Sequence, residues 1–510
     1  MFSKVFSGAL CGLEAAIIQV EVDVTDGLPQ ISMVGFLSSE VKEARERVRI
    51  ALKNAGYKML PKRITINLSP ADVRKEGTAF DLPIAIAILS ALGVIPNDSL
   101  LNTLIIGELS LNGNVNKING VLPIVLMAKE AGFVRCIVPK DNCFEGAVVN
   151  GIQVIGVESV MQTVDYLLNK LWIEPAFIDV TTMFTNSKKQ YREDYTEVVG
   201  QNACKRAIEI AVGGMHNLLM IGPPGTGKTM LAKRIPTIMP ELTFEESLKI
   251  SKIYSICGLL DSKQALVVER PFRNPHHTIT ETALIGGGRF VKPGEISLAT
   301  GGVLFLDELP EFRKSTLEIL RQPLEDGKVT INRLSGSYQF PTSTLLSCSM
   351  NQCNCGFYPD RSRCKCSQVE VKRYLNKISR PLLDRIDIVM ETDVVDYKTM
   401  GGSREEISSK TMREHVLTAR NIQLKRYAKE DFFFNSELTP STIKRYCVLG
   451  KEEKDFLDSV FETLEISVRA YHRILKVART ISDLEETELI SVKHLAEAIC
   501  YRTQDKKYWG

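Results

Sequence analysis

Residues 217–231 read NLLMIGPPGTGKTML. An apolar run, Leu218 to Ile221, enters Gly222-Pro223-Pro224-Gly225-Thr226-Gly227-Lys228-Thr229, and a helix-forming stretch follows. A strand that turns through glycines into a helix directs backbone N–H groups inward around phosphate oxygens. In that context the pattern is a P-loop, with Lys228 reaching the β- and γ-phosphates and Thr229 ligating Mg2+. The ligand this implies is ATP with Mg2+. A chance glycine-rich turn would not be expected to sit between a buried-type strand and a helix.

Four further segments extend the pattern downstream. GGVLFLDEL, residues 301–309, is an apolar strand ending in two acids. Asp307 suits Mg2+ held through water, and Glu308 suits orienting and polarising an attacking water. LLSCSMNQ, residues 345–352, is a strand ending at Asn351, placed to hold the lytic water or the γ-phosphate. ISRPLLDRIDIV, residues 378–389, offers an arginine for a neighbouring subunit's nucleotide. Arg385 is the first candidate and Arg380 the second; the alternative is a local ion pair among Asp384, Arg385 and Asp387. SVRAYHRILKVARTISDL, residues 467–484, opens with a serine cap and reads as an amphipathic helix. From it Arg469 can meet the γ-phosphate, with Arg473 as runner-up and a merely solvated basic face as the alternative.

The chain has 510 residues, enough for two to four domains. Charged residues are 25% and hydrophobic ones 44%, with a net charge of +3, so any nucleic-acid surface must be local. No apolar run approaches the roughly 20 residues of a membrane helix, and the N-terminus is a poor signal peptide. A cytoplasmic protein with no membrane partner is expected. The expected domains are 1–170, a linker at 171–195, a P-loop domain at 196–395, and a helical region at 396–510. In the first block, Val20–Val24, Ile31–Val34 and Ile64–Leu68 read as strands, and Ser38–Gly56 and Leu82–Leu92 as helices.

The order of motifs resembles the AAA+ ATPases, and within them the Mg-chelatase-like branch. RPFRNPHHTITETALIGGG, Arg270 to Gly288, matches that branch's insert in the second helix. KVTINRLSGSYQFPTSTLL, Lys328 to Leu346, reads as a hairpin turning at Leu334–Ser337. The resemblance implies that this hairpin points into a central pore, which makes Lys328 and Arg333 candidate DNA contacts, through phosphates rather than bases. His276 and His277 are adjacent, so a structural or pore-loop role is expected of them before a metal site.

Residues 1–170 resemble the proteolytic domain of Lon, through RKEGTAFDLPIAIAILSAL (Arg74 to Leu92), IIGELSLNGNVNKINGVLPIVLMAKEAGF (Ile105 to Phe133) and CIVPKDN (Cys136 to Asn142). That family pairs a serine nucleophile with a lysine base. Here the serine position falls on Ala79 and the lysine position on Leu122, so no peptidase activity is expected; Thr78 and Lys117 lie nearby. The implied fold class is multidomain α/β: a Lon-protease-like (ribosomal S5 domain 2-like) α+β domain lacking the dyad, a P-loop AAA+ domain with a parallel sheet, and a helical lid of the Mg-chelatase C-terminal type. This fusion resembles the ComM/YifB proteins over nearly the whole chain. The resemblance implies a homo-hexameric ATPase and helicase that drives branch migration of imported DNA during natural transformation. An ATP-driven protein remodeller and a Mg-chelatase-type motor remain as alternatives.

NQCNCGFYPDRSRCKC, residues 351–366, holds four of the twelve cysteines. In a reducing compartment clustered thiols mean metal or chemistry before disulfides. Cys353, Cys355, Cys364 and Cys366 form a closed set of four soft ligands, suited to a structural Zn2+ without an open position. Independent reduced thiols and a redox pair are the alternatives.

Overall fold

The computed structural model describes residues 1–58, 61–186, 193–261, 265–288, 291–333, 336–394, 406–464 and 467–509. The chain forms two compact units, each with its own core. One comprises 1–188 with 243–268 and 330–340; the other comprises 189–242, 269–329 and 341–510.

The first unit is built on a seven-stranded mixed sheet of order β3-β4-β2-β1-β5-β8-β9. Its strands are β1 (Phe2–Cys11), β2 (Glu14–Thr25), β3 (Gln30–Val34), β4 (Arg63–Ser69), β5 (Thr103–Ile105), β8 (Arg135–Pro139) and β9 (Gln153–Val157), while β6 (Glu108–Leu109) and β7 (Val115–Asn116) form a small separate ladder. The β1–β2 hairpin pairs Phe2 with Asp23 through Cys11 with Glu14. Alternation along β2 buries Ile18, Val20, Val22 and Val24, the period a one-sided strand requires. The helix Ser39–Asn54 starts where Ser38 accepts from Val41 N, and buries Val41, Ala44, Val48, Ala51 and Leu52. The helix Asp81–Ala91 is apolar all round and wholly buried.

The sequence boundaries place residues 243–268 inside the P-loop domain, yet they pack in the first unit. The helix Phe244–Cys257 is closed at its start by a Thr243/Glu246 capping box. It buries Ile250, Ile253 and Ile256 and packs on the helix Val121–Glu130. A polar latch sets the contact. Ser255 donates to the buried Glu145, which also accepts from Leu122 N (3.0 Å) and Asn142 Nδ2 (2.9 Å). Gly120 N donates to Ser255 O (3.1 Å), and Lys117 Nζ to Leu260 O (2.9 Å). Thr78 donates to Glu108, so Thr78 and Lys117 are committed to different partners.

The second unit carries a five-stranded parallel sheet, order β11-β14-β17-β10-β18. These are β10 (Leu218–Ile221), β11 (Phe272–Arg273), β14 (Val303–Leu306), β17 (Leu345–Met350) and β18 (Ile388–Glu391); β12 (Gly286–Gly287) and β13 (Lys292–Pro293) pair apart from it. The three central strands are buried along their whole length, as a sheet covered on both faces demands. The helices Ser409–Arg426, Pro440–Tyr446, Lys451–Leu464, Val468–Leu484 and Val492–Trp509 follow. The expected hairpin forms as β15 (Lys328–Arg333) and β16 (Gly336–Pro341), and its residues 330–340 belong to the first unit; of the expected turn, Leu334 and Ser335 lie outside the described residues. No helix among the described residues is long and apolar enough to cross a membrane.

Candidate nucleotide site and cysteine cluster

Parallel strands deliver their C-terminal ends to one edge of a sheet, which is where α/β proteins bind ligands. Register does this here: Ile221 stands beside Met350 and Leu306 beside Cys348. The residues that follow these strand ends are therefore neighbours. The P-loop leaves β10, Asp307 and Glu308 leave β14, and Asn351 leaves β17.

Lys228 opens the helix Lys228–Lys233 after Gly227, whose φ of +84° an L side chain would resist. Its Nζ donates to Gly222 O and Pro223 O (2.8 Å each) and to Asn351 Oδ1 at 3.3 Å. Thr229 Oγ1 donates to Asp307 Oδ2 at 2.8 Å. The Thr229 hydroxyl would offer its oxygen to Mg2+, while Asp307, its hydrogen-bond acceptor, would be placed to receive a water bound to that ion. Glu308 has φ +53°, a strained backbone of the kind stored at functional sites.

The sequence reading missed four supports of this site. Ser349 donates to Asp307 Oδ1, and its hydroxyl lies 3.4 Å from Glu308 N. Thr226 Oγ1 and Thr392 Oγ1 are 2.7 Å apart, tying the P-loop to the end of β18. His277 Nδ1 lies 3.9 Å from Glu308 Oε2, with its ring 4.1 Å from that of His276. Gln201 Nε2 donates to Asp393 O and Thr226 O. These contacts join residues far apart in sequence, so no local pattern signals them.

The arginines separate. Arg385 pairs with Glu325 and is largely buried. The alternative local cluster does not form: Asp384 faces Arg469 (3.9 Å) and Arg502 (3.4 Å), and Asp387 faces Arg473 (3.7 Å) and His216 (3.7 Å). The reason is direction, since Arg385 ends a short helical turn and points toward the 321–326 helix. Arg380 donates to Trp509 O at 3.2 Å. Arg473 is held by Ile386 O (2.9 Å) and Asp387, whereas Arg469 is 72% exposed. Lys328 and Arg333 are both exposed on the hairpin.

Burial pulls the Lys228 ammonium down to about 8, against the opposing charges of Asp307 and Glu308. Bound phosphates restore the charged form. The sign follows: ATP binding takes up about half a proton per site at pH 8, and affinity falls as pH rises above that value. Calorimetry in buffers of different ionisation enthalpy measures the uptake. Lys228→Arg, charged throughout, should abolish it; persistence of the uptake in that variant would assign the proton elsewhere.

In the same unit, the four clustered thiols converge. Their sulfurs lie within 4.8 Å of one another, with Cys353–Cys355 at 3.3 Å, Cys355–Cys364 at 3.6 Å and Cys353–Cys364 at 3.8 Å. A tetrahedral S4 site with Zn–S of about 2.3 Å has edges of about 3.8 Å, so the set fits Zn2+. Gln352 laces the loop: its amide nitrogen donates to Gly356 O (3.1 Å) and Tyr358 O (2.9 Å), and its oxygen accepts from Tyr508 OH (3.0 Å). The loop lies on the P-loop, since a Cβ at Gly356 would stand 2.5 Å from Pro224 Cδ.

A covered parallel sheet with a P-loop, a paired Thr229 and Asp307, and Asn351 against Lys228 defines a P-loop ATPase of the AAA+ class. The sequence matches three families, described as Magnesium chelatase, subunit ChlI (residues 194–400), Subunit ChlI of Mg-chelatase (20–142) and Magnesium chelatase, subunit ChlI C-terminal (406–502). It is 41% identical over 504 residues to Competence protein ComM of Haemophilus influenzae, covering 98% of this chain and 97% of that one. It is 40% identical over 509 residues to YifB of Escherichia coli, covering 99% and 97%. Lon protease 2 of Bacillus subtilis is 29% identical over 175 residues, 32% of this chain and 31% of that one. The chain belongs to the ComM/YifB family of Mg-chelatase-like AAA+ proteins.

Proposed function

We propose that the chain is an ATP-driven DNA translocase, working as a homo-hexamer that promotes branch migration of imported DNA during natural transformation. The observation that carries the reading is end-to-end similarity to a relative named for competence, in a chain whose P-loop, acids and Asn351 assemble into one nucleotide site. Lys228 and Thr229 bind phosphate and Mg2+, Asp307 holds the metal's water, Glu308 polarises the attacking water, and Asn351 positions it. Arg385 or Arg380 serves the neighbouring subunit's nucleotide, and Arg469 or Arg473 its own; the exposure of Arg469 favours it over Arg473. Lys328 and Arg333 contact DNA phosphates from the hairpin. The Lon-like domain is a scaffold without peptidase chemistry. Cys353, Cys355, Cys364 and Cys366 hold one structural Zn2+. A cytoplasmic setting accompanies this reading, since clustered thiols at metal-ligand spacing suit a reducing compartment.

The test is branch migration of a synthetic Holliday junction by the purified protein with ATP. Wild type should convert the junction and Lys228→Ala should not. A wild type that neither binds DNA nor raises its ATPase rate with DNA would defeat the proposal.

A further inference from the structure

The loop that carries the four thiols has a second chemistry. Between Asn351 and Cys366 it contains three cations, Arg361, Arg363 and Lys365, and one carboxylate, Asp360. All three cations are exposed while Cys364 between them is buried. Asp360 Oδ1 is taken by Ser362 N (2.9 Å) and Ser362 Oγ (2.6 Å). The helix Gln368–Leu375 follows directly and presents two more exposed cations, Lys372 and Arg373.

The two arginines are pre-positioned. The Arg363 guanidinium lies 4.1 Å from the Phe357 ring centroid and that of Arg361 5.1 Å from Tyr358. Arg361 also donates to Cys366 O at 2.8 Å. An arginine resting on a ring loses less freedom when it binds, and its remaining N–H groups suit phosphate oxygens. Phe357 and Tyr358 are themselves only partly buried. Cations stacked on half-exposed rings are the composition of single-strand nucleic-acid grooves, where backbone charge and base stacking act together. An acidic peptide would use the cations and leave the rings unexplained. Gln352 ties the loop to itself and to Tyr508, and the four converged thiols would pin it further once they hold an ion, so the groups stand on an ordered platform.

We propose that this cysteine-pinned loop is a nucleic-acid contact separate from the β15–β16 hairpin, gripping a single-stranded phosphodiester backbone through Arg361, Arg363 and Lys365. The inference rests on the DNA reading above and names a second place where DNA is held. Because Gly356 of the same loop abuts Pro224, strand engagement there is adjacent to the phosphate-binding turn.

The experiment uses the full-length protein, a fluorescein-labelled 40-nucleotide oligo-dT, and anisotropy titrations from low to moderate salt. Three lost contacts at about 0.7 each should lower the log–log salt slope by about 2 in the triple variant R361Q/R363Q/K365Q. Affinity at 0.1 M salt should fall at least about tenfold. The pair R361K/R363K keeps the charges, so it should retain the slope while affinity weakens a few-fold through loss of the ring-held fork. Wild-type slope and affinity in a triple variant of unchanged melting temperature overturn this inference alone. If wild type binds no oligonucleotide, the DNA reading falls and takes this one with it. A loss of slope equal in both variants assigns the effect to loop structure rather than charge, which also overturns it.

Discussion

Replacing Glu308 with Gln is expected to leave ATP binding within about threefold of wild type while hydrolysis falls by about 10²–10⁴. The substitution keeps size and hydrogen-bonding reach but removes the carboxylate proposed to polarise the attacking water. By the usual conversion this is about 3–5 kcal/mol of transition-state stabilisation. The backbone at 308 is left-handed in either case, so its strain is common to both proteins and cancels. Thr229, Asp307 and Lys228 keep their contacts, which is why binding survives. Single-turnover hydrolysis with a parallel nucleotide titration separates the two quantities. An unchanged hydrolysis rate would remove Glu308 from the chemistry, and joint loss of binding and hydrolysis would make it a structural residue.

Cys353→Ser is expected to lower bound zinc from about one per chain to none after dialysis against a chelator. Structural zinc carries about 10–16 kcal/mol of apparent binding free energy in small domains, which makes its loss one of the few single changes costing more than about 3 kcal/mol. That amount lowers the melting temperature of a domain of about 150–250 residues by about 6–12 °C. Cys353 is fully buried, so the serine hydroxyl would also lack water as a partner. The disturbance should reach nucleotide affinity, because the loop rests on Pro224. Elemental analysis and calorimetry check the two halves. Wild-type protein without zinc, melting as Cys353→Ser does, would leave four independent thiols as the reading.

What the sequence discloses is local. The P-loop, the acids after β14 and Asn351 after β17 are each short patterns at the end of an apolar run, and such runs place their ends together in a parallel sheet. The thiol cluster is legible for the same reason, as its ligands fall within fourteen residues. Contacts across long separations are not legible. Ser349 meets Asp307 forty-two residues away, and Thr226 meets Thr392 across 166. Arg385 is a candidate by motif, yet its ion-pair partner Glu325 is sixty residues distant, and nothing near 385 announces it. The helix at 244–257 is absent from the sequence reading, and no local pattern says which unit it packs in; the contact of Ser255 with Glu145 bridges 110 residues.

The membership of 243–268 and 330–340 in the first unit bears on synthesis. A ribosome delivers residues 1–188 first, then the phosphate-binding turn at 222–229, and only afterwards the helix Phe244–Cys257 that covers Val121–Glu130. The amino-terminal unit therefore cannot complete its core as a nascent chain on its own; it waits, with an apolar face uncovered, until the ATPase segment is being made. Expression of residues 1–188 alone would leave that face permanently open.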